Sequence, residues 1–409
     1  MKILIYGVNY FPEPVGIGKY TSEMAEMLNS LGHDVSIIAS SPYFPEWVAK
    51  NNFYRTEFIK GVKVQRCPIW VPKNPSGFTR ILHLLSFSIT SFPFLILRVF
   101  VNKPEIIICI APSIFCAPGA LLFSKLCGNK TKSWLHIQDL EINAAFNLGL
   151  IKGRKLKKIA ELFERTVFLG FDKISAISKA MLNKVLIKGI SKNKTTLLSN
   201  WADLEKIDFI PLDYRGENIY RKDLQIEEKY IILMYSGSMN QKQDFHILIE
   251  TIKKLSDEKN IFWVLAGEGP SKKFLIQETR DISNVLVLPL QPVEKMNFWL
   301  NFADIHLLPQ KITVDDLVLP SKLLGILASG RPVISISAEE SELASITNIA
   351  GININTPDVN EFVKAIKILA SNKELRLKLG NKARQIAVSR FYKKMIFDNF
   401  EKEMFGLFY

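Results

Sequence analysis

The stretch Tyr230-Ile-Ile-Leu-Met-Tyr-Ser236 leads directly into Gly237-Ser-Met-Asn-Gln-Lys242, and apolar residues at helical spacing follow from Asp244 to Leu255. A strand, a glycine turn and a helix in this order point free backbone N–H groups at an anion. Lys242 lies where the helix should begin, and a cation at that end is unfavourable unless an anion is bound. The stretch therefore predicts a diphosphate site, and the alternative is an ordinary βα unit with a solvated lysine.

The same arrangement recurs later in the chain. The apolar run Phe262–Ala266 ends in the glycine turn Gly267-Glu-Gly-Pro270, and a further helix is predicted to begin at Pro320-Ser-Lys322. Ser321 is expected to cap that helix, and Lys322 then lies in its first turn. Two such helix starts in one domain favour the anion site over the ordinary unit.

The first half of the chain begins in the same α/β style. Lys2–Val8 is a predicted buried strand, Asn9–Gly18 is a loop rich in Pro and Gly, and Val35–Ala39 is a second strand after a helix. This order is typical of a doubly wound sheet. Gly16 and Gly18 allow a ligand to approach the backbone closely, and the alternative is a turn that requires glycine. Their spacing is not G-x-G-x-x-G, so no dinucleotide site is indicated.

Polar residues mark the end of a third buried strand in this half. Lys132–Ile137 is followed by Gln138 and Asp139, and polar groups at the carboxyl end of a parallel strand face the ligand crevice. Asp139 with His136 and Glu13 is the best catalytic candidate. The alternatives are a hydrogen-bonded core residue for His136 and a helix cap for Asp139.

The chain has 409 residues, of which 48% are apolar, and we expect two domains. We place the first at 1–200, the second at 201–388, and a C-terminal helix at 389–409 that packs back on the first. The four cysteines occur in apolar surroundings without a C-x-x-C pair, which predicts buried thiols and neither a zinc site nor a disulfide framework. Because the N-terminus also lacks a signal-peptide pattern, a cytosolic protein is expected.

The positive charge lies in the first half of the chain. Residues 1–200 carry 26 Lys and Arg against 12 Asp and Glu, whereas residues 201–409 carry 27 against 28. A basic face suits nucleic acid, anionic lipid or a phosphorylated substrate. No helix-turn-helix, zinc-finger or aromatic basic-sheet pattern occurs, so nucleic acid is the weaker choice.

A nearly continuous apolar segment extends from Phe78 to Val101. Its length invites comparison with a membrane span, but Arg80, His83 and Arg98 interrupt it and Pro93 lies inside it. A buried helix, a helix that touches the membrane surface and a span all remain open. The basic balance of this half favours contact with the membrane surface over a span.

Two further segments have both a functional and a structural interpretation. Residues 42–75 are aromatic and marked by proline, and we expect a long loop that lines the crevice between strands. The basic cluster Lys152–Lys158 precedes a predicted helix. It is either a solvated face or an electrostatic patch for a membrane.

Several of these pieces resemble the family 4 glycosyltransferases, and most closely the branch that builds colanic acid and O-antigen repeat units in bacteria. The resemblance covers nearly the whole chain, with the motifs in the expected order. The motifs that carry it are the Pro12 to Gly18 loop, Gly32-His-Asp-Val35, Pro42-Tyr-Phe-Pro-Glu-Trp47, Gln138-Asp-Leu140, Gly237 to Lys242, Gly267-Glu-Gly-Pro270, Ala303-Asp304 and Pro320-Ser-Lys322 with Ala328-Ser-Gly-Arg-Pro332.

The resemblance implies a GT-B fold, with two Rossmann-like doubly wound domains facing a central cleft. It implies a retaining, metal-independent sugar transferase of the hexosyl or deoxyhexosyl class, without a cofactor, that uses a UDP- or GDP-linked nucleotide-sugar. The first domain would bind a lipid-linked sugar acceptor and the second the donor. The protein would be cytoplasmic, in peripheral contact with anionic lipid on the inner face of the plasma membrane, and would bind no nucleic acid.

The resemblance also assigns roles to residues. Lys242 corresponds to the family's phosphate-binding lysine, Gln138-Asp139 to a pair near the reacting carbon, and Gly16 to the loop that approaches the phosphates. The expected catalytic residues are Asp139, Gln138 and Lys242. The expected donor contacts are Gly16, Gly18, Gly237, Ser238, Lys242, Gly267, Glu268, Gly269, Leu290, Ser321 and Lys322. The expected acceptor contacts are Glu13, Tyr43, Glu46, Trp47 and His136.

The sequence departs from the family pattern at three positions. Two glutamates common in the family are replaced by Leu317 and Gly325, and Ser238 replaces a basic residue after the central glycine. Ser321 and Lys322 are candidates to take over the missing donor contacts. Two other functions therefore stay open, which are a GT-B enzyme of the sugar-nucleotide epimerase kind and an inactive GT-B partner subunit.

Overall fold

The structure is a computed structural model that describes residues 1–13, 16–44, 46–73, 77–111, 114–128, 130–140, 153–211, 214, 217–312 and 319–409. The chain divides into two compact units. One consists of Met1–Ser199 with Phe397–Tyr409, and the other of Asn200–Ile396. The C-terminal segment that returns to the first unit therefore begins at Phe397, several residues after the predicted start at residue 389.

The first unit is built on an eight-stranded sheet in the order β3-β4-β2-β1-β5-β6-β7-β8. Its strands are β1 (Lys2–Tyr6), β2 (Asp34–Ser40), β3 (Arg55–Ile59), β4 (Val62–Cys67), β5 (Ile106–Ala111), β6 (Lys132–Ile137), β7 (Lys173–Ala176) and β8 (Thr195–Leu197). All neighbours pair in parallel except β3 and β4. The apolar runs predicted as strands are confirmed at β1, β2, β5, β6 and β7. These strands are continuously apolar because both faces of a parallel sheet are covered.

The prediction of one long loop over residues 42–75 is wrong in part. Within it, β3 and β4 form an antiparallel hairpin at the edge of the sheet, joined by a turn at Lys60 and Gly61. Both turn residues have positive φ, 48° and 82°, which is the geometry of a two-residue hairpin turn. The strand Arg55–Ile59 alternates half-buried and exposed residues, as an edge strand does, and lacks the apolar run that identified the others.

Among the described residues, five α-helices of the first unit precede the second unit. They are α1 (Gly16–Ser30), α2 (Gly77–Phe100), α3 (Ala117–Cys127), α4 (Arg154–Gly170) and α5 (Lys179–Ile187). The four cysteines of this unit are buried thiols outside any disulfide, as expected from their apolar surroundings. Most of the basic cluster predicted at Lys152–Lys158 lies in the first turns of α4, and Lys152 itself is outside the described residues.

The second unit has a six-stranded, all-parallel sheet in the order β11-β10-β9-β12-β13-β14. Its strands are β9 (Ile231–Ser236), β10 (Ile261–Ala266), β11 (Val285–Leu288), β12 (Ile305–Pro309), β13 (Val333–Ile336) and β14 (Gly351–Ile354). Its helices are α6 (Ile219–Asp223), α7 (Phe245–Lys254), α8 (Lys272–Thr279), α9 (Met296–Phe302), α10 (Ser321–Ser329), α11 (Glu342–Ala350), α12 (Val359–Ser371) and α13 (Lys373–Arg390). The order places the ends of β9 and β10, and with them both glycine turns, side by side at the middle of the sheet edge.

The last helix, α14 (Lys393–Phe405), joins the sheet of the first unit. Phe400 packs edge-on against the buried Trp134 of β6, with ring centroids 4.9 Å apart. Glu401 Oε1 lies 2.9 Å from His33 Nε2, and Lys173 pairs with Glu403 at 2.5 Å. An aromatic contact, flanked by a hydrogen bond with His33 and an ion pair with Lys173, fixes this helix on the first unit.

Helix α2 buries a face of mixed polar and apolar residues and exposes mostly apolar ones. Its buried residues recur every three or four positions, and three of them are the polar His83, Ser91 and Arg98. Ser91 Oγ bonds the Tyr6 hydroxyl at 2.7 Å, and Arg98 Nε donates to Gln65 Oε1 at 3.1 Å. The exposed apolar residues lie on the opposite face and include Phe78, Leu82, Ile89, Phe92, Leu97 and Phe100.

The length and composition of Phe78–Phe100 are those of a helix that could cross a membrane, and 22% of its most apolar window is buried within the described chain. The interpretation of this segment as a fully buried core helix is therefore wrong. Of the residues that interrupt the apolar run, His83 and Arg98 point inward and Arg80 is exposed in the first turn, so the exposed residues from Leu82 to Phe100 are apolar.

Candidate active site

The two glycine turns of the second unit interlock at the carboxyl ends of β9 and β10. Gly237 N donates to Ala266 O at 2.9 Å, and Met239 N donates to Glu268 O at 2.8 Å. A Cβ at Gly267 would lie 1.9 Å from Gly237 O, so no side chain fits there. Glycine is therefore required for this close approach of two turns, which leaves their backbone groups at the sheet edge.

Lys322 brings a charge to these turns from α10. Its Nζ lies 3.6 Å from the point where a Gly237 Cβ would stand, 4.1 Å from the centroid of the Tyr235 ring, and 3.4 Å from Gln243 Oε1. The contact with the ring face is a cation–π contact. Burial lowers the pKa of Lys322 to about 7. The ammonium thus stands beside the glycine turn with aromatic and amide partners, and an anion there would raise its pKa again.

The start of α10 is open to an anion. Its N-cap is Pro320, and no side chain of the described residues caps it. The expectation that Ser321 caps this helix is wrong, because Ser321 is the first helical residue and is exposed. Helix N-termini without a cap present unsatisfied N–H groups and a partial positive charge, to which Lys322 in the first turn adds a full one.

The start of α7 differs from the prediction. The helix begins at Phe245, and the Asp244 side chain caps it by accepting from Ile247 N at 3.4 Å. Lys242 precedes this cap, is exposed, and donates its backbone N–H to Asn240 Oδ1 at 2.9 Å. The Asp244 side chain already accepts from an N–H group of α7. Of the two predicted helix starts, only that of α10 therefore lacks a side-chain cap within the described residues. A phosphate contact of the flexible Lys242 side chain stays a prediction.

The remaining donor candidates surround the same turns. Ser238 is exposed, and its carbonyl accepts from the Tyr235 hydroxyl at 2.6 Å. Glu268 pairs with Lys272 at 2.6 Å, which holds the carboxylate on the start of α8. Leu290 is 47% exposed two residues after β11. Contacts of these residues with a donor stay predictions.

A buried hydrogen-bond chain ends at Gln138 in the first unit. Trp134 Nε1 donates to Ser175 Oγ at 2.8 Å, Ser175 Oγ lies 2.8 Å from His136 Nδ1, and His136 Nε2 lies 2.9 Å from the side-chain amide of Gln138. Burial lowers the pKa of His136 to about 3, so its ring is neutral. With 1% exposure, His136 has no surface for an acceptor and instead holds Gln138, whose neighbour Asp139 is half-buried.

Glu13 is occupied by its own loop. One carboxylate oxygen accepts from Asn9 Nδ2 at 2.7 Å, and the other lies 3.3 Å from Phe44 N. A Cβ at Gly18, in the first turn of α1, would lie 2.7 Å from Glu13 Cβ, so glycine at this position allows the packing. Desolvation raises the pKa of Glu13, and the hydrogen bonds from Asn9 and Phe44 oppose that rise. Glu13 thus joins the Pro/Gly loop to the segment after β2. Gly16 begins α1 with φ of 63°.

The other acceptor candidates follow β2. Tyr43 is buried, Glu46 pairs with Lys50 at 3.2 Å on the surface, and Trp47 is half-buried. The sequence did not indicate that α2 contributes to this region, where Arg80 lies over Trp47. Positions 45, 315, 316 and 317 lie outside the described residues, so the Leu317 departure has no structural account.

The described part of the chain contains no group of three or more His, Cys, Asp or Glu side chains placed to hold a metal ion.

Known proteins resemble both halves of the chain. The sequence pattern of the glycosyl transferases group 1 matches residues 216–386, and that of a glycosyl transferase 4-like domain matches residues 15–201. A protein of Escherichia coli (strain K12) named as the colanic acid biosynthesis glycosyl transferase WcaI is 38% identical over 355 residues, which are 85% of this chain and 86% of that relative. The chain belongs to the group 1 glycosyltransferases.

Solved structures place this glycosyltransferase in the GT-B fold. Sucrose-phosphate synthase from Thermosynechococcus elongatus has a TM-score of 0.74 at 14% sequence identity, and the match covers 100% of this chain and 99% of that chain. The structure of Anabaena Alr3699/HepE in complex with UDP has a TM-score of 0.71 at 13% sequence identity, and the match covers 99% of this chain and 100% of that chain. The GT-B fold expected from the motifs is confirmed, and at this identity the likeness concerns the fold alone.

Gly325 stands at one of the two positions where the family pattern has a glutamate, and it lies at a close contact between helices. A Cβ at Gly325 in α10 would lie 3.0 Å from Leu300 Cδ1 of α9. The glycine therefore lets α9 and α10 approach closely, and a glutamate at this position would displace an apolar neighbour.

Proposed function

We propose that this glycosyltransferase moves a sugar from a nucleotide-sugar to a lipid-linked saccharide during bacterial surface polysaccharide synthesis. The relative at 38% identity is named for colanic acid biosynthesis, and a solved GT-B neighbour holds UDP. The single observation that carries the proposal is Lys322, a half-buried ammonium between the Gly237 turn and the uncapped start of α10. A nucleoside diphosphate satisfies all three groups at once.

The second unit would then stabilise the charge that develops on the leaving diphosphate. As the bond from the anomeric carbon to the diphosphate oxygen breaks, a bond to the acceptor hydroxyl oxygen forms, and the hydroxyl proton leaves with the diphosphate. Lys322, the N–H groups of α10 and Lys242 supply fixed positive charge, which is electrostatic catalysis without a metal or cofactor. Asp139, with Gln138 held by His136, is proposed to act near the reacting carbon. We propose retention of configuration, a UDP- or GDP-linked donor and a hexosyl or deoxyhexosyl group.

The first unit carries a surface suited to the membrane where such an acceptor resides. The exposed residues of α2 from Leu82 to Phe100 are apolar, the exposed Arg80 lies in its first turn, and the polar Ser91 and Arg98 bond inside the protein. Helix α4 presents exposed Ile159 and Leu162 on the turns after its basic start. Apolar faces next to lysines bind anionic interfaces through burial and charge together. We propose peripheral contact at the inner face of the plasma membrane.

A thermal-shift screen tests the donor site. UDP, GDP, ADP, CMP and dTDP are added to the wild type and to Lys322→Met and Lys242→Ala. Ligand that binds only the folded state raises the melting temperature, so one nucleotide that stabilises the wild type and not Lys322→Met identifies the donor class. If no nucleotide stabilises the wild type, the chain is a non-catalytic GT-B partner and the proposal fails.

Flotation with vesicles tests the membrane contact. Wild type and an Ile89→Glu variant, which changes an exposed residue of α2, are mixed at low salt with anionic or with zwitterionic vesicles. We expect the wild type to float with anionic vesicles only, and Ile89→Glu to stay in solution. Equal flotation of both proteins would show that α2 does not contact the membrane.

A further inference from the structure

Four side chains join the loop after β2 to the first turns of α2. Tyr43 and Trp47 come from the loop, and Arg80 and His83 come from the helix. The His83 ring centroid lies 4.6 Å from that of Tyr43 and 5.7 Å from that of Trp47, and the Arg80 guanidinium carbon lies 5.7 Å from the Trp47 centroid. These four residues are the α2 cluster.

Trp47 is held in a strained backbone conformation. Its φ is 55°, in the left-handed region that bulky residues avoid, at a local cost of about 1–3 kcal/mol. The turn is kept by a bond from Val48 N to Tyr43 O at 3.2 Å. Strain of this kind persists where surrounding contacts fix it, and it occurs preferentially at binding sites.

Arg80 is exposed, and no carboxylate of the described residues pairs with its charge. Across the described ranges it has no hydrogen bond and no ion pair with a carboxylate, and its contact is the face of Trp47. A guanidinium stacked on an indole is oriented and keeps its N–H donors in a fork that matches phosphate oxygens.

His83 carries an unused acceptor in the same cluster. Its Nδ1 lies 2.6 Å from Trp70 O, so Nδ1 bears the hydrogen and donates it to the carbonyl. Nε2 is then an acceptor, and it is buried without a partner in the described chain. Burial lowers the pKa of His83, the hydrogen bond to Trp70 O opposes this, and the charge of Arg80 adds to the lowering, so the net shift favours the neutral ring. A buried acceptor without a donor is uncommon, and the hydroxyl of a ligand would satisfy it.

We propose that the α2 cluster binds a sugar phosphate, with Arg80 donating to the phosphate and His83 Nε2 accepting from a hydroxyl. A sugar joined to a phosphate or diphosphate is the chemistry of a lipid-linked acceptor, so this site rests on the proposed function and specifies its acceptor. His83 is buried and its ring centroid lies 5.7 Å from that of Trp47, so we infer that binding includes a shift of the indole. The exposed Phe78 and Leu82 on α2 lie within one turn of Arg80 and provide apolar surface for the lipid chain.

Tryptophan fluorescence of the full-length protein tests the site. The probes are glucose 1-phosphate, glucose, inorganic phosphate and farnesyl diphosphate, titrated into wild type, Arg80→Gln, Arg80→Lys and Trp47→Phe. Loss of one charge-assisted contact weakens binding roughly 10- to 150-fold. We expect this loss for glucose 1-phosphate in Arg80→Gln, a smaller one in Arg80→Lys, and no fluorescence change in Trp47→Phe. Lys63→Gln removes an exposed charge of β4 and is the matched control.

The outcomes separate this site from the donor site. Tighter binding of farnesyl diphosphate than of glucose 1-phosphate, lost in Arg80→Gln, would identify the lipid diphosphate as the main ligand. Unchanged binding in Arg80→Gln, an equal loss in Lys63→Gln, or no binding of any phosphate probe by the wild type would overturn the proposal. UDP or GDP stabilisation measured on the same proteins reports the donor site independently, so a failure of one proposal is distinguishable from a failure of the other.

Discussion

Replacing Lys322 by methionine should change stability and ligand binding in opposite directions. Methionine keeps most of the apolar stem over Tyr235 and removes the charge. The pKa of Lys322 falls from 10.5 to about 7 on burial, so burial in the folded protein makes the charged form of Lys322 less stable than it is in the unfolded chain. The shift corresponds to at most about 4 kcal/mol at pH 7, and solvent around a half-buried group reduces this to about 1–2 kcal/mol. We therefore expect Lys322→Met to be as stable as the ligand-free wild type or more stable by that amount.

Nucleoside diphosphate binding should weaken in the same variant. The ammonium contributes one charge-assisted contact, worth about 1.5–3 kcal/mol, so Kd rises roughly 10- to 150-fold. Urea unfolding without ligand and calorimetric titration with the nucleotide chosen by thermal shift measure the two effects. Lys273→Met, which removes an exposed lysine of α8, is the control and should change neither. A Lys322→Met protein that is clearly destabilised without ligand, or binds as the wild type does, refutes the anion site.

The pH dependence follows from the direction of the Lys322 shift. Its folded pKa lies below its unfolded value, so between about pH 7 and 10 the unfolded state binds more protons and stability without ligand rises with pH. Diphosphate binding requires the protonated form, so affinity falls over the same range. Lys322→Met should lose both trends, and pH titrations of unfolding and of Kd test this. An affinity that falls with pH equally in wild type and variant would assign the titration to another group.

Three further substitutions test particular contacts, each by urea unfolding against the wild type. Gly267→Ala forces a Cβ to within 1.9 Å of a backbone oxygen in the neighbouring turn, and we expect a loss of about 1–3 kcal/mol together with loss of nucleotide stabilisation. Ser175→Ala removes the shared partner of Trp134 and His136, and leaving buried polar groups unpaired should cost about 1–3 kcal/mol. Phe400→Ala should cost about 3–5 kcal/mol because its ring is buried against Trp134, and a loss below about 1 kcal/mol would show that α14 is not anchored there.

The sequence predicts the parallel strands well and the edge hairpin poorly. Strands such as Ile106–Ala111 are continuous apolar runs because both faces of a parallel sheet are covered. The edge strand Arg55–Ile59 has one face in solvent, so its signal is weak alternation followed by Lys60-Gly61. That dipeptide in a two-residue turn was the available clue to the hairpin.

Spacing could also have predicted the orientation of α2. His83, Phe87, Ser91 and Leu95 recur every four residues and therefore share one helix face. In a simple reading of composition, polar residues such as His83 and Ser91 only interrupt an apolar segment. Their periodicity instead places them together, on the face that packs against the sheet.

The glycine turns of the candidate site were visible in the sequence, but its electrostatics were not. Tyr235, Gly237 and Gln243 are about eighty residues before Lys322 in the chain, and only the folded sheet brings them to its ammonium. Both helix starts were predicted to carry a lysine. The cap supplied by Asp244 distinguishes α7 from α10, and it depends on where the helix actually begins.

The most direct test of the account is sugar transfer itself. Purified protein is incubated with UDP- and GDP-sugars and with vesicles that contain a polyprenyl-diphosphate-linked saccharide, and the lipid product and the released nucleoside diphosphate are quantified. The account predicts acceptor-dependent transfer from one nucleotide class, with the anomeric configuration of the donor retained in the product and with much slower transfer by Lys322→Met. Conversion of the nucleotide-sugar without an acceptor, or no release of nucleoside diphosphate from any donor, would contradict it.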